Sequence, residues 1–265
     1  MQVEYKLERG NDDTIGDQFG KHNKLKMKAP QKGAFDVKVD YIGSSRQPVV
    51  VIDDFLAEPG FWVEYAATQV AYHSDASYYP GIRGPAPREY GNCLYDFLGE
   101  LVHKVFEWNC DPEITACTFS LMTTRPEDLR PNQRVPHVDF THLNGLAVLH
   151  YLCTPKHGGT AFYRHRSTGY EMILDNNVHD FVNTINAEAR FMGAPPPKYF
   201  DGSTPQFECI ASYPAVFNRV LIYRGSILHS GVVAEGFSPD PNPRTGRLTV
   251  NTFFRKSKPA VARPV

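Results

Sequence analysis

Residues 143–165, LNGLAVLHYLCTPKHGGTAFYRH, contain two short apolar runs joined by a turn. The first run is almost continuously apolar and the second contains several aromatic residues, a composition that favours strands over helices. The Pro and Gly-Gly between them are typical of a tight connection, in which glycine permits an unusual backbone or a close approach. This stretch predicts two neighbouring strands of a β-rich core.

The same pattern continues through the second half of the chain. Further short β-type runs occupy 115–124, 207–215, 219–231 and 246–255, each bounded by turn residues. Before them, 93–109 carries apolar residues at helical spacing, Pro59 suits the first turn of an earlier helix, and the Gly- and Pro-rich 77–91 is predicted to be a loop. The chain is therefore mainly β with flanking helices, a sandwich or a barrel.

The polarity of the chain suggests its domain limits. Residues 1–47 are polar and predict an N-terminal extension, mostly irregular, followed by one β domain over 48–258 and a short tail at 259–265. Within the domain, 175–205 predicts a helical insert, with a helix from Asp175 to Gly193 and a Pro-rich segment after it. An insert of this length is expected to cover the mouth of a site as a lid.

Composition limits the classes of partner. The 265 residues carry a net charge of −1, which gives no electrostatic reason to expect nucleic acid or a membrane surface as a partner. No apolar run is long enough to span a bilayer, and the first residues lack the apolar core of a signal peptide. Five cysteines without CxxC spacing favour free thiols in the cytoplasm. The oligomeric state stays open, and a homodimer is compatible with the sequence.

A metal site is predicted around the segment PHVDF. His137 and Asp139 are two residues apart, so in an extended strand their side chains leave the same face. His229 lies near the end of another predicted strand, in ILHSG, and can supply a third ligand. Two histidines and one carboxylate form the facial triad of non-haem Fe(II) sites, which leaves coordination positions open for catalysis.

A basic strand follows the third candidate ligand. In GRLTVNTFF, Arg247 and Thr249 are two residues apart and share one face of a predicted strand. An arginine beside a hydroxyl is well suited to hold a carboxylate through two hydrogen bonds. The alternative is an arginine paired with a buried Asp or Glu, or one that faces solvent.

Together these segments resemble the Fe(II)/2-oxoglutarate-dependent oxygenases, and within them the prolyl 4-hydroxylase-like branch. The resemblance covers roughly residues 48–256 and rests on HVD, the LHYL and GGT strand pair, LHSG, and the basic residue on the last strand. It implies a double-stranded β-helix, the jelly roll of cupin-like proteins, with His137, Asp139 and His229 as ligands of Fe(II). It also implies that Arg247, assisted by Thr249, binds the far carboxylate of the co-substrate 2-oxoglutarate.

The implied reaction is a dioxygenase reaction in which decarboxylation of 2-oxoglutarate to succinate drives hydroxylation of an unactivated C–H bond. Amino acids, peptidyl residues and small metabolites are all possible substrates. The chain differs from the branch in two respects, because Arg247 stands where prolyl hydroxylases usually have Lys, and no upstream tyrosine for the co-substrate is evident in 119–137. Two alternatives remain: a cupin-like metal enzyme, such as an isomerase or lyase, that does not use 2-oxoglutarate, and a non-catalytic jelly-roll binding protein.

Other basic residues are weaker candidates. His142 is at an odd offset from Asp139 and is expected to face away from the metal, and His150 is expected to be a hydrogen-bonded core residue. His157 is expected to be exposed at its turn, and His165 to contact substrate or solvent near the mouth. Arg83 and Arg88 are expected in a solvated loop, from which they could also contact an acidic group of a substrate.

Overall fold

The computed structural model describes residues 37–74 and 78–257 of the chain. Within these two described ranges, eleven strands and three α-helices follow one another in the order β1, β2, α1, β3, β4, α2, β5, β6, β7, α3, β8, β9, β10, β11. The sequence-predicted tail at 259–265 and the first 36 residues of the predicted extension lie outside the described residues. Of the helices in the described part, none is long and apolar enough to cross a membrane.

Eight strands form the larger sheet, in the spatial order β1-β2-β9-β6-β11-β5-β4-β3. Their bounds are β1 Val37–Ile42, β2 Gln47–Ile52, β3 His73–Ser74, β4 Gly81–Pro85, β5 Pro112–Met122, β6 Gly145–Tyr151, β9 Val220–Arg224 and β11 Leu248–Lys256. Every pairing in this sheet is antiparallel.

A smaller sheet of three strands contains the third candidate metal ligand. It consists of β7 Gly159–His165, β8 Phe207–Pro214 and β10 His229–Val232, in the order β10-β7-β8. His137 extends it beyond β10 through an isolated antiparallel bridge to His229. The two sheets enclose a common core that includes Leu149 of β6, Tyr223 of β9 and Phe162 of β7. The fold is mainly β, a jelly roll of the double-stranded β-helix type, as the sequence predicted.

Helices cover the outer faces of both sheets. Helices α1, Pro59–Thr68, and α2, Arg88–Phe106, pack on the outer face of the large sheet. The outward-facing residues of that sheet, such as Val50, Val148 and Ile222, alternate with the inward-facing ones, which is the pattern of a sheet buried on both sides. The apolar stripe of α2 predicted the helix itself, which begins at Arg88.

The third helix corrects one expectation. Helix α3, Val178–Met192, buries Phe181 and Ile185 against the outer face of the small sheet, beside Tyr163 of β7. It therefore lies on the opposite face of that sheet from His229 and does not close the mouth as a lid. The two residues are four apart and, with the partly buried Val178 and Val182, form an apolar stripe that sets the position of α3.

Two further expectations are corrected at the chain's N-terminal side. The predicted extension 1–47 is not irregular up to its end, because Val37–Ile42 forms edge strand β1. The predicted loop 77–91 contains β4, Gly81–Pro85, paired with β5. Glycine is required there for close packing, since a Cβ on Gly81 would lie 2.0 Å from the Leu121 carbonyl oxygen. Glycine and proline therefore do not mark a loop in this strand, which lies next to the edge strand β3.

Candidate metal and co-substrate site

The structure brings His137, Asp139 and His229 together. One ligand atom from each lies within 4.8 Å of the others, and the rings of the two histidines are 4.4 Å apart between centroids. His229 is buried, Asp139 is half-buried, and His137 is exposed. Such a cluster presents two nitrogens and one oxygen to a common point and leaves the side next to His137 open.

The backbone fixes this arrangement. His137 and His229 exchange two backbone hydrogen bonds of 2.9 Å, and the Asp139 amide donates to the Gly225 carbonyl at 2.7 Å. The Phe140 ring fills the space beside Gly145 and Gly225, where a Cβ would approach it to 2.3 and 2.5 Å. Glycine at these two positions therefore lets the ring pack against the backbone next to the Asp139 carboxylate.

The side-chain atoms are suited to hold a cation. His229 Nδ1 lies 2.8 Å from the Ile227 carbonyl oxygen, to which it can only donate, so Nε2 is the ring nitrogen that faces the cluster. The Asp139 carboxylate is 3.4 Å from that Nε2. Although His137 stays accessible from the cleft, close packing around its ring lowers its pKa well below the usual value, and the neighbouring His229 and Arg83 side chains lower it further. His137 is therefore neutral, the state in which imidazole binds metal.

The pKa of the Asp139 carboxyl is shifted in the opposite direction, upward. Burial raises the pKa of Asp139, and the neighbouring His229 and Arg83 side chains offset part of that increase. A carboxylate that is costly to keep charged without a partner gains most from a bound cation. Two imidazole nitrogens and one carboxylate fit a divalent ion of the non-haem iron type.

Arg247 lies inside the barrel, 3% exposed, and its guanidinium is held by main-chain atoms. Its Nε donates to the His157 carbonyl at 3.2 Å, and its Nη2 donates to the Gly159 carbonyl at 2.7 Å. Among the residues that the structure describes, no carboxylate forms an ion pair with it. Arg247 therefore has no Asp or Glu partner among the described residues. It also does not face solvent.

The distance from Arg247 to the metal cluster follows from strand β10. The Nη2 atom lies 3.7 Å from the position that a Cβ on Gly231 would take. Gly231 and His229 are two residues apart on one strand, so they share a face and are separated by about 7 Å. That separation is comparable with the length of a five-carbon dicarboxylate. The space between the cluster and Arg247 therefore suits such a molecule.

Four tyrosine hydroxyls are influenced by the charge of Arg247, and none of them stands in a sequence motif. The charge of Arg247 acts on the hydroxyls of Tyr79, Tyr151, Tyr199 and Tyr223. Burial raises the pKa of all four, to about 12 for Tyr151, so they are neutral hydrogen-bond donors at physiological pH. Period-two alternation in β6 and β9 could have identified the two strand tyrosines as inward-facing, because each is two residues from an inward-facing leucine (Leu149 and Leu221).

Tyr223 lies between the metal cluster and Arg247. Its ring packs edge-on against His229, with centroids 5.0 Å apart, and its hydroxyl is near both Asp139 and Arg247. Within the described part of the chain, that hydroxyl has no hydrogen-bond partner, whereas the Tyr151 hydroxyl donates to Thr160 at 2.6 Å. Tyr223 is thus a free donor inside the site.

Thr249 is fully buried beside Arg247. Its hydroxyl donates to the Asn251 side chain at 2.8 Å and lies next to the Tyr79 hydroxyl. The predicted shared face of Arg247 and Thr249 is therefore present, but the threonine already has a protein partner.

The insert reaches the site through its Pro-rich tail. Tyr199, after the end of α3, is buried, donates to the Thr124 carbonyl at 2.7 Å and packs edge-on against Phe237. The Arg134 guanidinium donates to the Pro195 carbonyl at 3.1 Å. The tail therefore borders the cleft, while the helix itself does not.

The remaining histidines have structural positions. His142 is exposed and stacks on Phe140, and the buried His150 is hydrogen-bonded to Tyr90 and Asn218, both as the sequence predicted. His157 is half-buried rather than exposed. The expectation for His165 is wrong, because its ring is fully buried under α3 and contacts Glu188 at 3.1 Å.

Fold and site together define a jelly-roll protein with a two-histidine, one-carboxylate cluster and an inward-facing arginine. The chain belongs to DUF6445, a family of unknown function, whose model matches residues 33–254. No curated protein matches it.

Two solved structures are similar in outline. One is the non-heme alpha ketoglutarate dependent epimerase SnoN from nogalamycin biosynthesis, at 11% identity and a TM-score of 0.45 over 82% of this chain and 83% of that one. The other is EvdMO1, at 13% identity and a TM-score of 0.37 over 84% of this chain and 56% of that one.

Proposed function

We propose that this protein is an Fe(II)- and 2-oxoglutarate-dependent oxygenase that hydroxylates an unactivated C–H bond of an amino-acid, peptidyl or small-metabolite substrate. The observation that carries the proposal is Arg247, a buried guanidinium without a carboxylate partner in the described residues. It lies next to Gly231, which is about 7 Å along β10 from the candidate iron ligand His229. The HVD and LHSG segments support the prolyl 4-hydroxylase-like branch within that class.

Each residue of the site has a role in this proposal. His137, Asp139 and His229 would hold Fe(II), which supplies the redox chemistry that couples 2-oxoglutarate decarboxylation to oxidation of the substrate. Arg247 would bind the far carboxylate of 2-oxoglutarate, held in place by the His157 and Gly159 carbonyls. The Tyr223 hydroxyl is a donor toward the middle of the co-substrate, and Tyr199 closes that end of the cleft to water.

Arg247 also separates this proposal from the alternatives. A cupin-like isomerase or lyase that uses only the metal has no need for a second, anion-binding group inside the barrel. A buried arginine is costly unless an anion meets it, and the three-ligand cluster leaves positions open for the other end of the same anion. A non-catalytic binding protein has no need for the metal cluster.

The test is an anaerobic titration of the full chain with Fe(II) and 2-oxoglutarate, followed by measurement of succinate release in air. We expect one equivalent of Fe(II), 2-oxoglutarate binding that requires it, and succinate formation that a substrate accelerates. His137→Gln should weaken Fe(II) binding by more than about 100-fold, because loss of a supporting partner alone costs about 10–100-fold.

His142→Gln is the matched control, since this exposed histidine is five residues away on the same segment. It should bind Fe(II) as the parent does. If both variants bind Fe(II) equally well, or if the parent binds Fe(II) but no 2-oxoglutarate, the proposed function is wrong.

A further inference from the structure

A recess of about 360 Å³ lies between α1 and two turns of the chain, away from the metal cluster. Its walls come from the first two turns of α1, from 152–157 after β6 and from 244–246 before β11. Val63 and Leu152 of these walls belong to the apolar layer beneath α1, outside the barrel. None of the lining residues is a candidate metal ligand or a cleft tyrosine, so the recess is distinct from the candidate iron site.

Two walls of the recess also fix Arg247. The His157 carbonyl accepts from the Arg247 Nε at 3.2 Å, and Arg247 directly follows the 244–246 wall in the chain. The His157 ring joins the two walls, because its Nε2 lies 2.9 Å from the Thr245 carbonyl oxygen and its Nδ1 accepts from the Thr154 amide at 3.3 Å. A shift of His157 therefore moves a hydrogen-bond acceptor of Arg247.

The 244–246 wall is tied to α1. The Arg244 guanidinium donates two hydrogen bonds to the Glu64 carboxylate, at 2.9 and 2.7 Å, and the Thr245 hydroxyl donates to Asp240 at 2.6 Å. The opposite wall contains the short turn that ends at His157. A molecule packed between the two walls therefore favours the arrangement in which the His157 ring faces Thr245.

The apolar part of the recess suits a hydrophobic body. Val63, Leu152 and Phe217 line it, and Phe217 is 38% exposed. A Cβ on Gly60 would meet no atom within 4 Å, so this side of the recess is open space. Small-molecule sites of a few hundred Å³ combine such apolar walls with a small number of polar groups.

The charge of the recess favours an anion. Lys156 lines it and forms no ion pair among the residues that the structure describes. The second cation, Arg244, is already paired with Glu64. The first turn of α1 borders the recess, and the dipole of a helix favours a negative charge at that end. One ammonium without a carboxylate partner matches a ligand with one carboxylate.

We propose that this recess binds a small monocarboxylate with an apolar body, and that its occupation strengthens the binding of 2-oxoglutarate at Arg247. The second part rests on the oxygenase function above. Occupation of the recess and binding of the co-substrate both favour the position of His157 in which its carbonyl meets Arg247, so each strengthens the other. The recess is thus a regulatory site of the oxygenase.

The probe is 3-phenylpropionate, with 3-phenylpropionamide as its neutral counterpart and propionate as the counterpart without a ring. Calorimetric titration of the full chain, with Fe(II) and 2-oxoglutarate saturating and oxygen absent, keeps Arg247 occupied. The parent should bind the probe about tenfold or more tightly than either counterpart, because one lacks the charge and the other the buried ring. Saturation with the probe should raise 2-oxoglutarate affinity about fivefold or more.

Gly60→Leu fills the recess and should weaken probe binding about tenfold or more. Gly99→Leu is the matched control, because Gly99 is also a helical glycine with no atom within 4 Å of a Cβ, and it should bind the probe as the parent does. Lys156→Gln should bring the acid and the amide to within about twofold of each other. His157→Ala should still bind the probe, but without the gain in 2-oxoglutarate affinity.

Three results would overturn the proposal: a parent that binds the acid no better than its counterparts, parent-like probe binding in Gly60→Leu, and a 2-oxoglutarate affinity that the probe leaves unchanged. A parent that binds no 2-oxoglutarate would refute the oxygenase function separately. The recess is then tested by probe binding and by hydrogen–deuterium exchange, in which the probe should slow exchange of the His157 and Gly158 amides. Unchanged exchange there would refute the link to His157.

Discussion

At the scale of single residues, Arg247 depends on a glycine pair for its position. Gly158 has a φ of +93°, and a Cβ there would lie 2.1 Å from the Val232 carbonyl oxygen. The residues on either side of it, His157 and Gly159, provide the two carbonyls that accept from the guanidinium. The close approach that Gly-Gly indicated in the sequence thus serves the orientation of Arg247.

Replacement of Gly158 by alanine should therefore affect both stability and binding. We expect Gly158→Ala to lower the free energy of unfolding by about 1–3 kcal/mol, since the backbone is strained and a carbonyl must move. It should also weaken 2-oxoglutarate binding, because the carbonyls that hold Arg247 shift. Urea unfolding and a 2-oxoglutarate titration measure the two effects.

Gly169→Ala is the control for that prediction. Gly169 has a similar φ of +72° but no atom within 4 Å of a Cβ, so the substitution adds strain without a clash. It should destabilise the protein and leave 2-oxoglutarate affinity unchanged. Equal loss of affinity in the two variants would show that Gly158 has no particular link to Arg247.

At the scale of secondary-structure elements, the Glu188 carboxylate of α3 forms hydrogen bonds with residues in and next to the small sheet. Glu188 accepts hydrogen bonds from His165 at 3.1 Å, from Gln206 at 2.8 Å and from Ser167. Those three donors come from β7 and from the segments next to β7 and β8. Removal of the shared acceptor leaves a fully buried imidazole without this partner, which is costly.

We expect Glu188→Ala to raise hydrogen–deuterium exchange throughout α3 and to cost about 1–3 kcal/mol of stability. Binding of Fe(II) should stay at the parent level, because α3 lies on the outer face of the small sheet. Arg190→Ala, at an exposed position of the same helix, should change neither quantity. Loss of Fe(II) binding in Glu188→Ala would indicate that α3 supports the metal cluster directly.

Sequence patterns located most elements because their apolar periodicity is local. The core strands, α2 and α3 each carry a period of two or of 3.6 residues that determines which side is buried. Strands β1 and β4 were missed because they lie near the edge of the large sheet, where glycine, proline and polar residues are tolerated. The position of α3 was wrong because periodicity shows that a helix has an apolar face but not which sheet face it covers.

The same distinction between local and long-range signals applies to the residues of the candidate site. His137, Asp139, His229 and Arg247 were found because each stands at a recognisable spacing within a short segment. The tyrosines around Arg247 come from four separate segments, and only the pairing of β6, β9 and β11 and the path of the insert's tail bring them together. Arg83 was expected in a loop, and its inward direction depends on the register of β4.

At the scale of the whole molecule, a buried polar chain links helices and sheet. The Tyr90 hydroxyl of α2 lies 2.6 Å from His150 Nδ1, and His150 Nε2 lies 3.2 Å from the Asn218 side-chain oxygen, which also accepts from the Leu56 amide. Burial lowers the pKa of His150 to about 4, although its hydrogen bond to Asn218 opposes part of that change. His150 is therefore neutral in the folded protein at physiological pH.

This residue makes the stability of the fold depend on pH. Between the ordinary histidine pKa of about 6.5 and the folded value of about 4, the unfolded state binds more protons, so stability falls as pH falls. From pH 7 to pH 5 we expect a loss of about 1–2 kcal/mol from His150. Urea unfolding at the two pH values should show a smaller loss in His150→Gln than in the parent or in exposed His142→Gln. An equal loss in all three proteins would contradict this account.

The central claim is that one anion bridges the metal cluster and Arg247. Its most direct test is the 2-oxoglutarate affinity of Arg247→Ala at saturating Fe(II), without oxygen, against the parent and against Arg255→Ala. Arg255 is on the same strand but pairs with Glu113, so it is a matched control. We expect Arg247→Ala to lose about 2–5 kcal/mol of binding free energy, since a buried charged hydrogen-bond pair is broken, and Arg255→Ala to lose none. Parent-like affinity in Arg247→Ala would contradict the account.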